Sequence, residues 1–236
     1  MRYVVIVFVA FLMGCVRPPE PSVQYVAFVD SQTGGFPDHL IGLLGVQADV
    51  VAKEAKGGEA TDEGLERLNM LISQGVFPNA EHFMYWQGGN DLLDWMKKRD
   101  PFLLFSPNDP GYPFSDSLNN ELDKIQSNIE TAIGMAKAEG WQVYAATYAP
   151  LQPGIECPPV PWFGLSDVQA DRANEYQALV NQRIRLAIQN CGAVLVDIGT
   201  DPDIPAPENY TNCNHLNSDG NAIVAERFFE VITSGP

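Results

Sequence analysis

Short apolar segments alternate along this chain with longer stretches in which apolar residues recur every three or four positions. The short segments are typical of buried strands, and the longer stretches are typical of helices that bury one face. Strands are predicted at residues 25–29, 46–52, 82–87, 141–148 and 193–198, and helices at 36–44, 62–73, 118–136, 167–189 and 218–232. This alternation favours right-handed crossovers and a parallel sheet that is covered on both faces. The pattern therefore predicts an α/β fold, a three-layer α/β/α sandwich around a central parallel sheet of about five strands.

Length and charge narrow the class of protein. The chain has 236 residues, of which 45% are hydrophobic, and this is enough for one sizeable core in one domain. Its formal net charge of -16 would repel nucleic acid phosphates and anionic lipid head groups, so we expect no nucleic acid partner. Such acidity is also typical of a protein that is simply soluble. No glycine-rich nucleotide fingerprint is present in the sequence, and we expect no cofactor.

The amino terminus has the pattern of an export signal. Arg2 precedes an apolar run over residues 3–13, which is too short to span a bilayer. The run ends in the letters LMGC, which resemble the bacterial lipobox, although methionine is an unusual occupant of its position. That resemblance implies that Cys15 becomes lipidated and N-terminal. A conventional signal with a nearby cleavage site and an uncleaved anchor are the alternatives.

This pattern divides the chain into three parts. We expect a lipoprotein signal peptide at 1–14, a lipidated cysteine with a proline-rich tether at 15–22, and a folded domain at 23–236. The expected location is the bacterial cell envelope, with the domain lipid-anchored to a membrane and facing the periplasm or the exterior.

Polar residues directly follow two of the predicted strands. Asp30 and Ser31 end the first apolar run, and Asn90 and Asp91 follow the third strand behind a pair of glycines. The carboxyl ends of parallel strands meet at one edge of the sheet, where ligands bind in open α/β folds. Taken alone, Ser31 fits a solvated serine in a turn better than a nucleophile, so its interpretation depends on a base at the same edge.

Only three histidines are available as that base. His39 lies in a predicted helix and His82 opens a strand at its amino end, so both fit packing or surface positions. His215 lies on the loop before the last helix, at the edge where Ser31 emerges. A serine and a histidine that meet at one edge are what nucleophilic hydrolysis needs, because the base must take the hydroxyl proton during attack.

Four sequence blocks, taken in order, resemble those of the SGNH hydrolases, the GDSL-type esterases and lipases. The blocks are FVDSQT at 28–33, GGEAT with GLERL at 57–68, GGND at 88–91 and NCNHLN at 212–217. Val29 departs from the family, which usually has glycine there. The resemblance spans the whole domain and implies the SGNH form of the flavodoxin-like α/β sandwich.

The resemblance also implies roles for individual residues. Ser31 would be the nucleophile and His215 the base, while the Ser31 N–H, the Gly58 N–H and the Asn90 side-chain amide would form the oxyanion hole. Asn212 stands where the family has its acid, three residues before the histidine. Its amide oxygen can orient the imidazole but brings no negative charge. Asp201 and Asp203, on the same loop, are alternative acids.

The four cysteines fit an oxidising compartment. Their spacings match no zinc-site pattern, and no metal site is predicted. If Cys15 carries lipid, two of the other three should pair. Cys157 and Cys213 lie on loops that follow strands, hence at one edge, whereas Cys191 directly precedes a strand. We therefore expect a disulfide between Cys157 and Cys213.

These observations predict a monomeric serine hydrolase of carboxylic esters, whose substrate is a lipid ester, a small acyl ester or an acylated glycan. Asn212 and Val29 keep an alternative open, a catalytically weakened or inactive binding lipoprotein of the same fold. Acyl transfer to an acceptor other than water is a third reading. Hydrolysis of simple esters would discriminate between the enzyme and the binding protein.

Overall fold

The computed structural model describes residues 23–31, 35–155 and 164–235. Within these residues five strands form one parallel sheet in the order β2-β1-β3-β4-β5. The strands are β1 (Tyr25–Val29), β2 (Val51–Ala55), β3 (His82–Trp86), β4 (Gln142–Ala146) and β5 (Val194–Val196). The predicted parallel sheet is confirmed.

The burial of each strand agrees with its central or edge position in the sheet. In β1, β3 and β4 every residue after the first is buried, as expected for central strands covered on both faces. The edge strand β2 carries Lys53 and Glu54 and is only partly buried. Its predicted bounds, 46–52, are wrong, because residues 48–50 form a 3₁₀ turn and the strand starts at Val51. A charged edge strand lacks the continuous apolar run that marks a central one.

Six helices cover the sheet in the described part of the chain. They are α1 (Phe36–Leu44), α2 (Thr61–Ser73), α3 (Gly89–Arg99), α4 (Ser115–Ala138), α5 (Asp167–Cys191) and α6 (Ser218–Ser234). Helices α1 and α6 pack together in one layer, and α2 to α5 pack among themselves in the other. This arrangement is the predicted three-layer sandwich. None of the described helices combines the length and the apolar character that crossing a membrane requires.

Helix α3 is absent from the sequence prediction. Its buried apolar side chains are Leu92, Trp95 and Met96, which span little more than one turn and give a short periodic signal. Lys97, Lys98 and Arg99 close the helix, where cations are favoured by the helix dipole. These three cations are the feature of the sequence from which the end of this helix could have been predicted.

The strand order places the candidate residues. All five strands are parallel, so their carboxyl ends lie at one edge, and the chain direction across the sheet reverses between β1 and β3. Ser31 follows β1 and Asn90 follows β3, so both stand at this reversal. In doubly wound sheets the crevice for ligands opens there.

Candidate active site

Ser31 lies two residues beyond Val29, the last residue of β1. The Asp30 N–H donates to the Trp86 carbonyl at 3.1 Å, which extends the pairing with β3 up to the residue before Ser31. A Cβ atom placed on Gly57 would lie 4.0 Å from the Ser31 Cβ, so the loop after β2 passes beside it. Ser31 is partly buried and shares a cavity with Gly89 and Asn90, which follow β3.

Asp30 forms the floor of the site with Tyr148. The Tyr148 hydroxyl donates to Asp30 Oδ2 at 2.5 Å, and both side chains are buried. Burial, followed by the nearby Asp30 charge, raises the pKa of Tyr148 well above its usual range, so the hydroxyl keeps its proton. Asn181 binds both the N–H and the carbonyl of Tyr148, at 2.8 and 2.9 Å. The residue before the serine is thus held by a fixed tyrosine.

The loops after β2 and β3 are joined by three hydrogen bonds. Asn90 Nδ2 donates to the Glu59 carbonyl at 3.1 Å. The Thr61 N–H and hydroxyl each donate to the Asp91 carboxylate at 2.8 Å. Thr61 is the first residue of α2. Gly58 has φ +77°, a conformation that favours glycine.

A buried carboxylate holds this junction. Glu59 is fully buried and accepts from Arg67 Nε at 2.8 Å, from Arg67 Nη2 at 2.6 Å and from Gln87 Nε2 at 2.6 Å. The Arg67 guanidinium also lies 3.8 Å from the centre of the Phe28 ring. The side chain of Glu59 therefore fixes the backbone that carries Gly58 on one side and binds Asn90 on the other. Sequence reasoning missed Glu59, because glutamate is rarely fully buried.

His215 is oriented by Asn212. The Asn212 Oδ1 atom accepts from the Asn214 N–H at 3.1 Å and the His215 N–H at 2.9 Å, and these two backbone donors identify it as the oxygen. His215 Nδ1 lies 2.9 Å from the same atom. An amide oxygen only accepts, so Nδ1 carries the proton and the lone pair is on Nε2. This is the tautomer that a base requires.

No described carboxylate hydrogen-bonds to His215. Burial alone lowers the pKa of His215 from its ordinary value. The alternative acids are engaged elsewhere, since Arg227 Nε donates to Asp201 at 2.5 Å and its Nη2 to Asp203 at 2.7 Å. The interpretation of either aspartate as a replacement acid is therefore not supported by the geometry.

The other two histidines occupy structural positions. His82 lies at the amino end of β3, where its ring stacks on Tyr25 at 4.6 Å and Nδ1 lies 3.2 Å from the Tyr144 hydroxyl. His39 Nε2 lies 3.3 Å from the Ser218 hydroxyl on the exposed side of α1. Neither lines the cavity that contains Ser31.

One cavity is lined by several of the candidate site residues. Ser31 and Asn90 line it together with Asn214, the residue before His215. Gly58 lines a separate polar cavity together with Asp91, and this second cavity includes neither Ser31 nor Asn90. In the part of the chain that the structure describes, no group of three or more histidine, cysteine or acidic side chains could hold a metal ion.

Two of the four cysteines, Cys191 and Cys213, lie within the described residues. Cys15 and Cys157 lie outside the described residues, so the lipidation and the Cys157–Cys213 bridge stay predictions. Cys213 is buried in the loop that precedes His215. Cys191 is a free thiol at the end of α5, as the predicted pairing requires.

The family profile of the GDSL-like lipases/acylhydrolases matches residues 21–228. The chain belongs to this family. It is therefore a hydrolase of a family whose members cleave esters, and the predicted family resemblance is confirmed. No protein in a search of curated sequences matches the chain.

Solved structures share the fold at low sequence identity. A member of the lipolytic G-D-S-L family from Veillonella parvula is 14% identical with a TM-score of 0.61, and the match covers 89% of this chain and 98% of that one. An acetyl xylan esterase, AlAXEase, is 16% identical with a TM-score of 0.57 over 88% and 98% of the two chains. A lipase/acylhydrolase from Enterococcus faecalis is 18% identical with a TM-score of 0.57 over 89% and 95%.

Proposed function

We propose that this protein is a serine hydrolase of carboxylic esters, with Ser31 as nucleophile and His215 as base. The observation that supports the proposal best is the shared cavity at the sheet reversal, which Ser31 and Asn90 line beside the loop of His215. Family membership supports ester hydrolysis in general. The residue roles and the class of ester are our own assignment.

The mechanism follows from these groups. Ser31 Oγ attacks the acyl carbon while His215 Nε2 takes the hydroxyl proton, and the carbonyl oxygen becomes an oxyanion. The Ser31 N–H, the Gly58 N–H and the Asn90 amide stabilise this oxyanion. The carbon–oxygen bond to the alcohol then breaks, and the alcohol leaves with the proton from the imidazolium. Water attacks the acyl-enzyme with the same base, which releases the acid and restores Ser31.

Asn212 favours one alternative function. Its amide orients His215, but it provides no charge beside the imidazolium that forms during attack. A protein that binds an ester-like ligand with little or no turnover has the same contacts. The alternative is therefore a weakened or inactive binding lipoprotein of the SGNH fold.

Ester hydrolysis by the purified domain from Val23 onward tests the proposal. We expect chromogenic esters to be hydrolysed and an organophosphonate probe to label Ser31. If no ester is hydrolysed and the probe does not react, the binding lipoprotein is the better reading. If the probe labels another serine, Ser31 is not the nucleophile.

Asn90→Ala should lower kcat about a hundred- to a thousandfold and change KM little, because an oxyanion donor acts mainly in the transition state. One hydrogen of the Asn90 amide binds the Glu59 carbonyl and fixes the group before substrate arrives, which leaves the other hydrogen for the oxyanion. The measurement is steady-state kinetics with a thermal melt of each variant. Asn190→Ala, which removes an exposed amide bonded to Glu130, is the matched control. An unchanged kcat in folded Asn90→Ala protein would remove Asn90 from the oxyanion hole.

We also propose attachment to the cell envelope through a lipid on Cys15. The lipobox-like letters and the following prolines support this proposal. Cys15→Ser should release the protein from the membrane fraction or block its maturation, because the thiol that would carry the lipid is absent. The measurement is fractionation of cells that express the full chain, with Cys191→Ser as the control. If Cys15→Ser is found in the membrane fraction to the same extent as the unchanged chain, lipid anchoring is contradicted.

A further inference from the structure

The cavity beside Ser31 is small and mostly apolar. Its volume is about 30 Å³, and its apolar wall is formed by Leu92, Leu93, Met96 and Leu151. Ligand pockets commonly have volumes of about 300–1,000 Å³, so this cavity is small for a binding site. The cavity therefore fits a short chain and not a long one.

The apolar wall is firmly supported. Met96, Leu92 and Leu151 are all buried, and α3, which carries the first two, packs on α4 and α5. Side chains in such a core have few voids to move into. A longer chain could enter only if the core moved, and the depth of the cavity is therefore fixed by packing.

Two polar side chains of the cavity are already bonded to the protein. The Tyr148 hydroxyl donates to Asp30, and Gln177 Nε2 donates to the Ala149 carbonyl. Leu92 and Leu93 lie within the first turn of α3 after Asn90. Met96 lies six residues beyond Asn90, about 9 Å along the helix at 1.5 Å per residue. Met96 is thus the lining residue of α3 farthest from the candidate oxyanion donor.

We propose that this cavity binds the acyl group of the ester and restricts it to short acids. Met96 closes the far end and Leu93 forms the side of the cavity. The alcohol portion stays outside it. This inference rests on the proposed ester hydrolysis at Ser31, and it selects the small acyl esters among the substrate classes considered above.

The test uses the full chain and nitrophenyl esters that differ only in acyl length. We expect kcat/KM for the octanoate to be at least about a hundredfold below that for the acetate, because misfit in a packed pocket lowers transition-state binding. Met96→Ala should raise the octanoate-to-acetate ratio of kcat/KM at least about tenfold. Leu93→Ala, at a partly buried position, should also raise this ratio of kcat/KM. It provides the test if Met96→Ala does not fold.

Leu71→Ala is the matched control, since Leu71 is a partly buried leucine of α2 outside this cavity, and it should leave the ratio unchanged. Preference of the unchanged chain for octanoate would overturn the acyl restriction while leaving ester hydrolysis intact. Folded variants with an unchanged ratio would overturn the role of Met96 and Leu93. Failure to hydrolyse any ester would instead contradict the proposed function on which the inference rests.

Discussion

Ser31→Ala and His215→Ala should each reduce kcat for simple esters by roughly a hundredfold. In a serine protease, loss of the nucleophile costs about 2 × 10⁶ in kcat and loss of the acid alone about 3 × 10⁴, so a site that already lacks the acid has roughly a hundredfold left to lose. The His215 imidazole meets only the Asn212 amide at Nδ1, which corresponds to such a site.

The double variant makes this prediction sharper. Ser31 and His215 act in one step, so Ser31→Ala combined with His215→Ala should be no slower than either single variant. Stopped assays against a no-enzyme blank measure the residual rates. Ser73→Ala and His39→Ala are controls, because Ser73 is exposed, His39 is only partly buried, and neither lines the cavity. Losses that multiply in the double variant would mean that the two residues do not act together.

The sheet and its carboxyl edge could be predicted because they depend on local patterns. Helix α1 has the predicted bounds, 36–44, with a proline at its start and a left-handed Gly45 at its end. Ser31 and Asn90 each follow a buried strand directly. In a parallel sheet that information alone places both residues at the same edge.

The contacts that hold the site could not be predicted, because they join distant positions. Glu59 binds Gln87, which is 28 residues away in the chain, and Tyr148 binds Asp30, which is 118 residues away. Nothing in the pattern of apolar residues identifies such partners. Sequence proximity was also misleading for Asp201, which shares a loop with His215 but pairs with Arg227 of α6.

Asn212→Asp should raise kcat for simple esters, by up to about ten-thousandfold if the reverse change in a serine protease is the guide. Aspartate has the shape of asparagine, so its oxygen can keep the bonds to the Asn214 N–H, the His215 N–H and Nδ1. The substitution adds only the negative charge that stabilises the imidazolium. Steady-state kinetics on the two chains measure the gain.

The pH dependence should change together with the rate. In the unchanged chain burial lowers the pKa of His215, so the base stays neutral, and the enzyme active, to a pH below the ordinary histidine value of about 6.5. A carboxylate at Nδ1 favours the charged imidazolium and raises that pKa. The acidic limb of kcat/KM should therefore move to higher pH in Asn212→Asp. If Asn212→Asp is faster but the acidic limb of its kcat/KM profile does not move, the charge does not act through His215.

Asp201→Ala and Asp203→Ala complete the test of Asn212. Both aspartates bind Arg227, so these substitutions should lower the melting temperature and leave kcat nearly unchanged, with the larger loss of stability for the buried Asp201. An unchanged rate in Asn212→Asp with a collapse in either folded alanine variant would mean that the acid has moved to that aspartate. If Asn212→Asp and the unchanged chain both lack activity, the missing charge is not what limits this site, and the binding lipoprotein becomes the better reading.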